Sequence, residues 1–186
     1  MKIVNHQLLS KDFFIPKWEI KHLFLGTFNP EGGEEVNYFY GRNRNQTWKL
    51  LSEIFKDEFN PKEFDQFLTK LKKHKIACMD MIKSVKVINE DISLITGKGY
   101  SDSKIINNTI EREHNTTNII EVIKKNPGVR LYSTWGKGPI IKNWNVEIDK
   151  IGPIISLTSP SMAAKVPKGE KKYDYMLEDW LHKIKK

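Results

Sequence analysis

The 186-residue sequence predicts an α/β protein, a three-layer α/β/α arrangement with a central, mainly parallel sheet, formed by residues 1–186 as a single domain. Three observations carry this expectation. Short apolar runs alternate with stretches whose apolar residues recur at helical spacing, as in buried parallel strands joined by helices. The length suits one domain, which commonly holds roughly 100–200 residues. The composition, 39% hydrophobic and 29% charged, is that of a globular chain rather than a disordered one.

The elements follow in order. His22-Leu23-Phe24-Leu25-Gly26-Thr27-Phe28 reads as a buried strand that ends in the turn-rich Asn29-Pro30-Glu31-Gly32-Gly33. Trp48, Leu51, Ile54 and Phe55 share one helical face, and Phe64, Phe67, Leu68 and Leu71 repeat that spacing in a second helix introduced by Asn60-Pro61. Ile76 to Ile82 is apolar and strand-like in its first half, and Lys83 to Tyr100 reads as loop with room for short elements. Residues 116–125 read as a helix with Thr116 or Thr117 as cap, stopped by Pro127-Gly128. Val129 to Trp135 and Pro153 to Leu157 are further strands, and an amphipathic helix closes the chain from about Glu170. Ligands of such sheets bind beyond the carboxyl ends of the strands. The loops after Phe28, Trp135 and Leu157 are therefore expected to converge.

The charge narrows the function classes. Lys and Arg number 31 against 23 Asp and Glu, a net charge of +8. That balance suits an anionic partner such as nucleic acid, or simple solubility. The single cysteine, Cys78, excludes an intramolecular disulfide framework, a cysteine-rich zinc site and a four-thiolate iron–sulfur cluster. Its apolar setting, Ile76-Ala77-Cys78-Met79, suggests a buried, inert thiol. The start, Met1-Lys2-Ile3-Val4-Asn5-His6, has no long apolar stretch, and no run approaches the roughly 18 apolar residues that span a bilayer. The expectation is a cytoplasmic protein without a membrane partner.

Three blocks carry candidate chemistry. In Gly26-Thr27-Phe28-Asn29-Pro30, a glycine at a strand end permits close approach to the backbone, and Asn29 brings a donor and an acceptor. In Tyr38-Phe39-Tyr40-Gly41-Arg42-Asn43-Arg44-Asn45-Gln46-Thr47-Trp48, aromatics, arginines and amides alternate, which suits a flat heterocycle: a ring to stack on and groups to read its edge. In Thr158-Ser159-Pro160-Ser161-Met162-Ala163-Ala164-Lys165, small hydroxyl residues and a base can hold phosphates, and an apolar residue can wedge a base stack. Taken singly, each block also reads as an ordinary turn, loop or core segment.

In this order and spacing the blocks resemble the uracil-DNA glycosylase superfamily, nearest to its mismatch-specific and hypoxanthine-DNA glycosylase branches. The likeness runs from about Leu23 to Leu181. Gly26 to Pro30 looks like the first family motif, Tyr40-Gly41 with Arg44-Asn45 and Trp48 like the aromatic–Arg-Asn–Trp stretch, and Ser159-Pro160-Ser161 like the second motif. Ile76 to Ser84 and Tyr100 to Ile105 resemble segments of the hypoxanthine branch. The resemblance implies a monofunctional glycosylase of base excision repair that flips a deaminated base, uracil or hypoxanthine, out of DNA and hydrolyses its N-glycosidic bond. It implies no cofactor or metal, a monomer, and a partner of double-stranded DNA bearing a damaged or mismatched base. By carry-over, Asn29 is the catalytic residue. Gly26, Thr27, Phe28, Tyr40 and Asn45 bind the base, and Arg42, Arg44, Lys137, Ser159, Ser161, Met162 and Lys165 bind DNA.

The sequence also departs from the family pattern. One extra residue separates Gly26 from Pro30, so Asn29 matches if the motif is anchored on proline and Phe28 if it is anchored on glycine. Ser133-Thr134-Trp135-Gly136 lacks the asparagine that the hypoxanthine branch places after a later strand. Ser159 stands where histidine or asparagine is common, Ala163 where a larger wedge is common, and none of the five histidines lies in a motif. The alternative is a catalytically weak or inactive nucleic-acid-binding member of the superfamily. A third reading is an enzyme acting on free nucleosides or nucleotides with the same pocket.

Overall fold

A computed structural model describes residues 1–96, 110–136 and 139–186, the side chains of 139–143 excepted. The chain runs through β1 (Lys2–Asn5), β2 (His22–Gly26), α1 (Thr47–Phe55), α2 (Phe64–Lys73), β3 (Ile76–Asp80), β4 (Ile82–Val87) and a short α3 (Ile92–Thr96). It continues through β5 (Glu111–His114), α4 (Thr116–Lys125), β6 (Arg130–Ser133), α5 (Pro139–Ile151), β7 (Ile155–Ser156) and α6 (Lys172–Ile184).

The central sheet has the order β3-β2-β6-β7 and is parallel throughout. Alternation along its strands splits the core between two faces, because successive side chains point to opposite sides. Leu23, Leu25, Ala77, Met79 and Leu131 pack with Ile119 and Val122 of α4 and Trp144 of α5. Phe24, Ile76, Cys78 and Tyr132 pack with Leu50 and Leu51 of α1, Phe67 and Leu71 of α2, and Met176 and Trp180 of α6. Phe24 lies stacked between Tyr132 at 4.8 Å and Trp180 at 5.8 Å. Helices therefore cover both faces, giving the three layers expected. Cys78 is fully buried, and burial pushes its thiol pKa well above the usual value, in keeping with an inert side chain.

A second sheet, antiparallel in the order β1-β4-β5, was not legible in the sequence. Residues 83–87, read as loop, belong to β4. Two of its neighbours lack a strand pattern: β5 is Glu-Arg-Glu-His, and β1 buries only Val4. Ion pairs from Lys83 to Glu113 (2.6 Å) and Lys86 to Glu111 (2.8 Å) join β4 to β5 in place of apolar alternation. The cap of α4 is also corrected. Asn115, not Thr116 or Thr117, precedes the helix, and its amide donates to the Asp80 carbonyl at 3.0 Å. Gly97-Lys98-Gly99, the Tyr100 to Ile105 segment and Lys137 lie outside the described residues. Among the described residues no helix is long and apolar enough to cross a membrane.

His22 opens β2 with Nδ1 at 3.1 Å from the Tyr132 hydroxyl, and burial, reinforced by Arg130, lowers its pKa to about 4. The unfolded chain then binds a proton that the folded chain refuses, so this contribution to stability is complete above about pH 6.5 and is lost as pH falls toward 4. Burial gives His114 a shift of the same sign. The melting temperature should fall between pH 7 and pH 4, and His22→Phe should shrink that fall. An unchanged pH profile in the variant would assign the acid loss elsewhere.

Candidate active site

The carboxyl ends of the parallel strands open on one cavity. Its wall is formed by Gly26 at the end of β2, Thr27, Phe28 and Asn29 beyond it, and Asp80 at the end of β3. Thr134 and Trp135 follow β6, and Tyr40, Arg42, Asn45 and Ser159-Pro160-Ser161 complete it. Its volume is about 90 Å³, below the roughly 300–1,000 Å³ of pockets for drug-sized ligands, so it suits one small group.

The walls are tied to one another. The Gln46 amide donates to the Pro160 carbonyl at 3.0 Å, and Asn45 pairs with Ser161 as an isolated antiparallel bridge. Asn45 Oδ1 accepts the Thr47 amide at 2.9 Å, which leaves its Nδ2 as the donor end of the side chain. The Thr134 hydroxyl lies 3.1 Å from the Leu25 carbonyl and 3.2 Å from the Tyr40 hydroxyl, anchoring the Tyr40 ring to the sheet edge. Tyr40 holds a left-handed backbone (φ 58°), a conformation that costs a non-glycine residue about 1–3 kcal/mol. Arg42 Nη2 reaches the Phe28 carbonyl at 3.4 Å.

Two residues that the sequence reading did not single out dominate the polar chemistry. The Asp80 carboxylate, 2% exposed, accepts Asn29 Nδ2 at 3.0 Å and pairs with His6 Nε2 at 2.8 Å, both through Oδ2. Asn29 therefore spends one N–H of its Nδ2 on Asp80, and among the described residues its carbonyl Oδ1 has no hydrogen-bond partner. A Cβ on Gly26 would come within 2.2 Å of Asp80 Oδ1 and 3.0 Å of the Tyr40 hydroxyl, so only glycine admits both groups over this strand end. Asp80 closes the apolar run from Ile76 and His6 lies in the opening segment. The only sequence signal for them was a lone acid at the end of a buried strand.

The sequence-derived residues divide as follows. Gly26, Thr27, Phe28, Asn29, Tyr40, Arg42, Asn45, Ser159 and Ser161 line the cavity. Lys165 lines a neighbouring cleft of about 490 Å³, which shares Trp135 and Ser159 with the cavity and includes Thr158, Asp179 and Lys183. Asp179 and Lys183 pair there at 2.6 Å, and Lys165 forms no ion pair among the described residues. Met162 is 44% exposed on the loop leading to Lys165, and Arg44 is exposed outside the cavity wall. No group of three or more His, Cys, Asp or Glu side chains among the described residues is arranged to hold a metal ion. Compared with known proteins, the chain matches no family model and no curated protein.

Gly26→Ala drives a methyl group into the Asp80 carboxylate. It should destabilise the fold by about 1–3 kcal/mol, read as a lower midpoint in urea. A variant as stable as the wild type would mean that Asp80 does not pack over this strand end.

Proposed function

We propose that the chain is a monofunctional DNA glycosylase of the uracil-DNA glycosylase type, acting as a monomer without a cofactor on uracil or hypoxanthine flipped out of double-stranded DNA. One observation carries the reading. Nine residues selected from three separate sequence blocks line a single base-sized cavity at the carboxyl edge of a parallel sheet. A cavity of about 90 Å³ is too small for a whole nucleotide, so the sugar and phosphate attached to a bound base would lie outside it.

The transition state of N-glycosidic hydrolysis joins an oxocarbenium-like sugar to a departing base anion, and its stabilisation is mainly electrostatic and positional. Tyr40 stacks on the base. Asn45 Nδ2 donates to a base carbonyl, and the backbone around Thr27 and Phe28 flanks the ring. Asn29 Oδ1 holds the attacking water near C1′. Ser159 and Ser161 hold the strand beside the lesion, and Met162 fills the gap in the stack. Arg42, Arg44, Lys137 and Lys165 neutralise phosphates. Ser159, in place of the histidine or asparagine that the resemblance leads one to expect, supports the alternative of a member that binds nucleic acid without cutting it.

Purified protein should release base from a uracil- or hypoxanthine-containing duplex, seen as strand breaks after alkali, and Asn29→Ala should lose that release. Intact DNA across uracil, hypoxanthine and xanthine, single- and double-stranded, contradicts the glycosylase reading. Salt-sensitive DNA affinity without base release supports the binding alternative. Lys165→Ala should weaken binding of lesion-bearing and normal duplex alike and reduce the salt slope by about one. Loss confined to lesion DNA would instead make Lys165 a base contact.

A further inference from the structure

His6 is fully buried at the end of β1, ringed by Phe14 at 5.2 Å, Phe39 at 5.6 Å and Phe28 at 5.7 Å. The Leu8 amide donates to its Nδ1 at 3.1 Å, so the ring proton sits on Nε2 and points at Asp80 Oδ2, 2.8 Å away. Backbone bonds hold the same segment in place. His6 N donates to the Lys83 carbonyl at 2.7 Å, Gln7 N to the Asn29 carbonyl at 2.8 Å, and Glu31 N to the Asn5 carbonyl at 2.8 Å. The segment 5–7 thus clamps both the chain leaving Asp80 and the loop carrying Asn29.

The result is a carboxylate with two unlike oxygens. Oδ2 is taken by His6 and Asn29, while Oδ1 lies over Gly26 at the cavity wall. With Oδ2 anchored from two sides, the carboxylate cannot turn without breaking a buried hydrogen bond. The same Oδ2 fixes the Asn29 amide through Nδ2, and among the described residues its Oδ1 has no partner.

We propose that Asp80 is a second catalytic residue of this site and that His6 is the residue that positions it, a proposal that rests on the glycosylase reading. Asn29 Oδ1 and Asp80 Oδ1 together hold the water. As the water oxygen bonds to C1′, the C1′–N bond breaks and its electron pair leaves with the base. The water proton passes to Asp80 Oδ1 and then to solvent or the departing base. His6 touches no reacting atom; its Nε2–H keeps Oδ2 turned away so that Oδ1 faces the water.

The test is single-turnover base release, with DNA affinity and melting temperature measured on the same preparations of Asp80→Asn, His6→Phe and His6→Gln. Asp80→Asn should slow release by about 10²-fold or more. His6→Phe suits the aromatic surroundings but removes the donor, and should slow release by about 10- to 100-fold at unchanged DNA affinity. His6→Gln, which keeps an N–H at the same reach, should recover most of the rate. Adding His6→Phe to Asp80→Asn should cost nothing further, since both act through one carboxylate. If His6→Phe does not fold, His6→Asn, too short to reach Oδ2, reads the same loss. A wild-type rate in folded His6→Phe overturns the proposal and leaves the glycosylase reading intact, as does a loss seen only in DNA affinity or an equal loss in His6→Gln. Absence of base release by the wild type removes both.

Discussion

Burying a carboxylate costs several kcal/mol unless protein hydrogen bonds replace its water, and stripping one partner from such a group costs about 3–5 kcal/mol. Asp80 meets that constraint at the corner where the chain leaves the parallel sheet for the antiparallel one. Its side chain takes His6 from β1's end and Asn29 from the loop after β2, and its carbonyl takes Asn115 from the start of α4. Met81 N, one residue on, donates to the Gly26 carbonyl at 3.0 Å, and Asn115 N donates to the Met81 carbonyl at 2.7 Å. Four distant stretches meet at one buried polar hub. A change at any of them displaces the others, because a half-satisfied polar network is worse than an apolar one. The second, antiparallel sheet therefore has a role in the site as well as in the fold: it brings His6 to the carboxylate.

Much of the architecture was legible because it rests on apolar patterning. The runs at Leu23, Ile76 and Leu131 and the helical stripes at Trp48, Phe67 and Trp180 all read correctly, since burial leaves a period in the sequence. Part of what escaped was held by hydrogen bonds and ion pairs rather than by apolar alternation, whereas β4, read as loop from Lys83 on, does bury Val85 and Val87 in the core. Strand β5 has no buried residue, and β1 has one. The candidate site followed the same division. Residues in Gly-, Asn-, Ser- and Pro-rich loops stood out, whereas His6, between Asn5 and Gln7, and Asp80, between Met79 and Met81, carried no local mark of their connection across 74 positions.

The net charge of +8 is less informative than where the charges are engaged. Away from the cavity, Asp57 is surrounded by Lys70, Lys73 and His74, and Glu19 pairs with Lys75. Hydrogen bonds from Lys73 and His74 hold the Asp57 pKa well below the usual carboxylate range. Beyond Ser161, Lys165, Lys168 and Lys171 are exposed and form no ion pair among the described residues, and Lys172 reaches back to the Met162 carbonyl at 2.6 Å. Among the described residues, the exposed lysines without an ion pair thus include a row on the loop that leads away from the cavity.

The most direct test of this account is a crystal structure with duplex DNA carrying a 2′-fluorinated, hydrolysis-resistant uracil or hypoxanthine nucleotide. The extruded base should lie against Tyr40 in the cavity over Gly26, with one water near C1′ held by Asn29 Oδ1 and Asp80 Oδ1 and with Asp80 Oδ2 still bonded to His6. A base seated elsewhere, or an Asp80 carboxylate turned from the sugar, would contradict it.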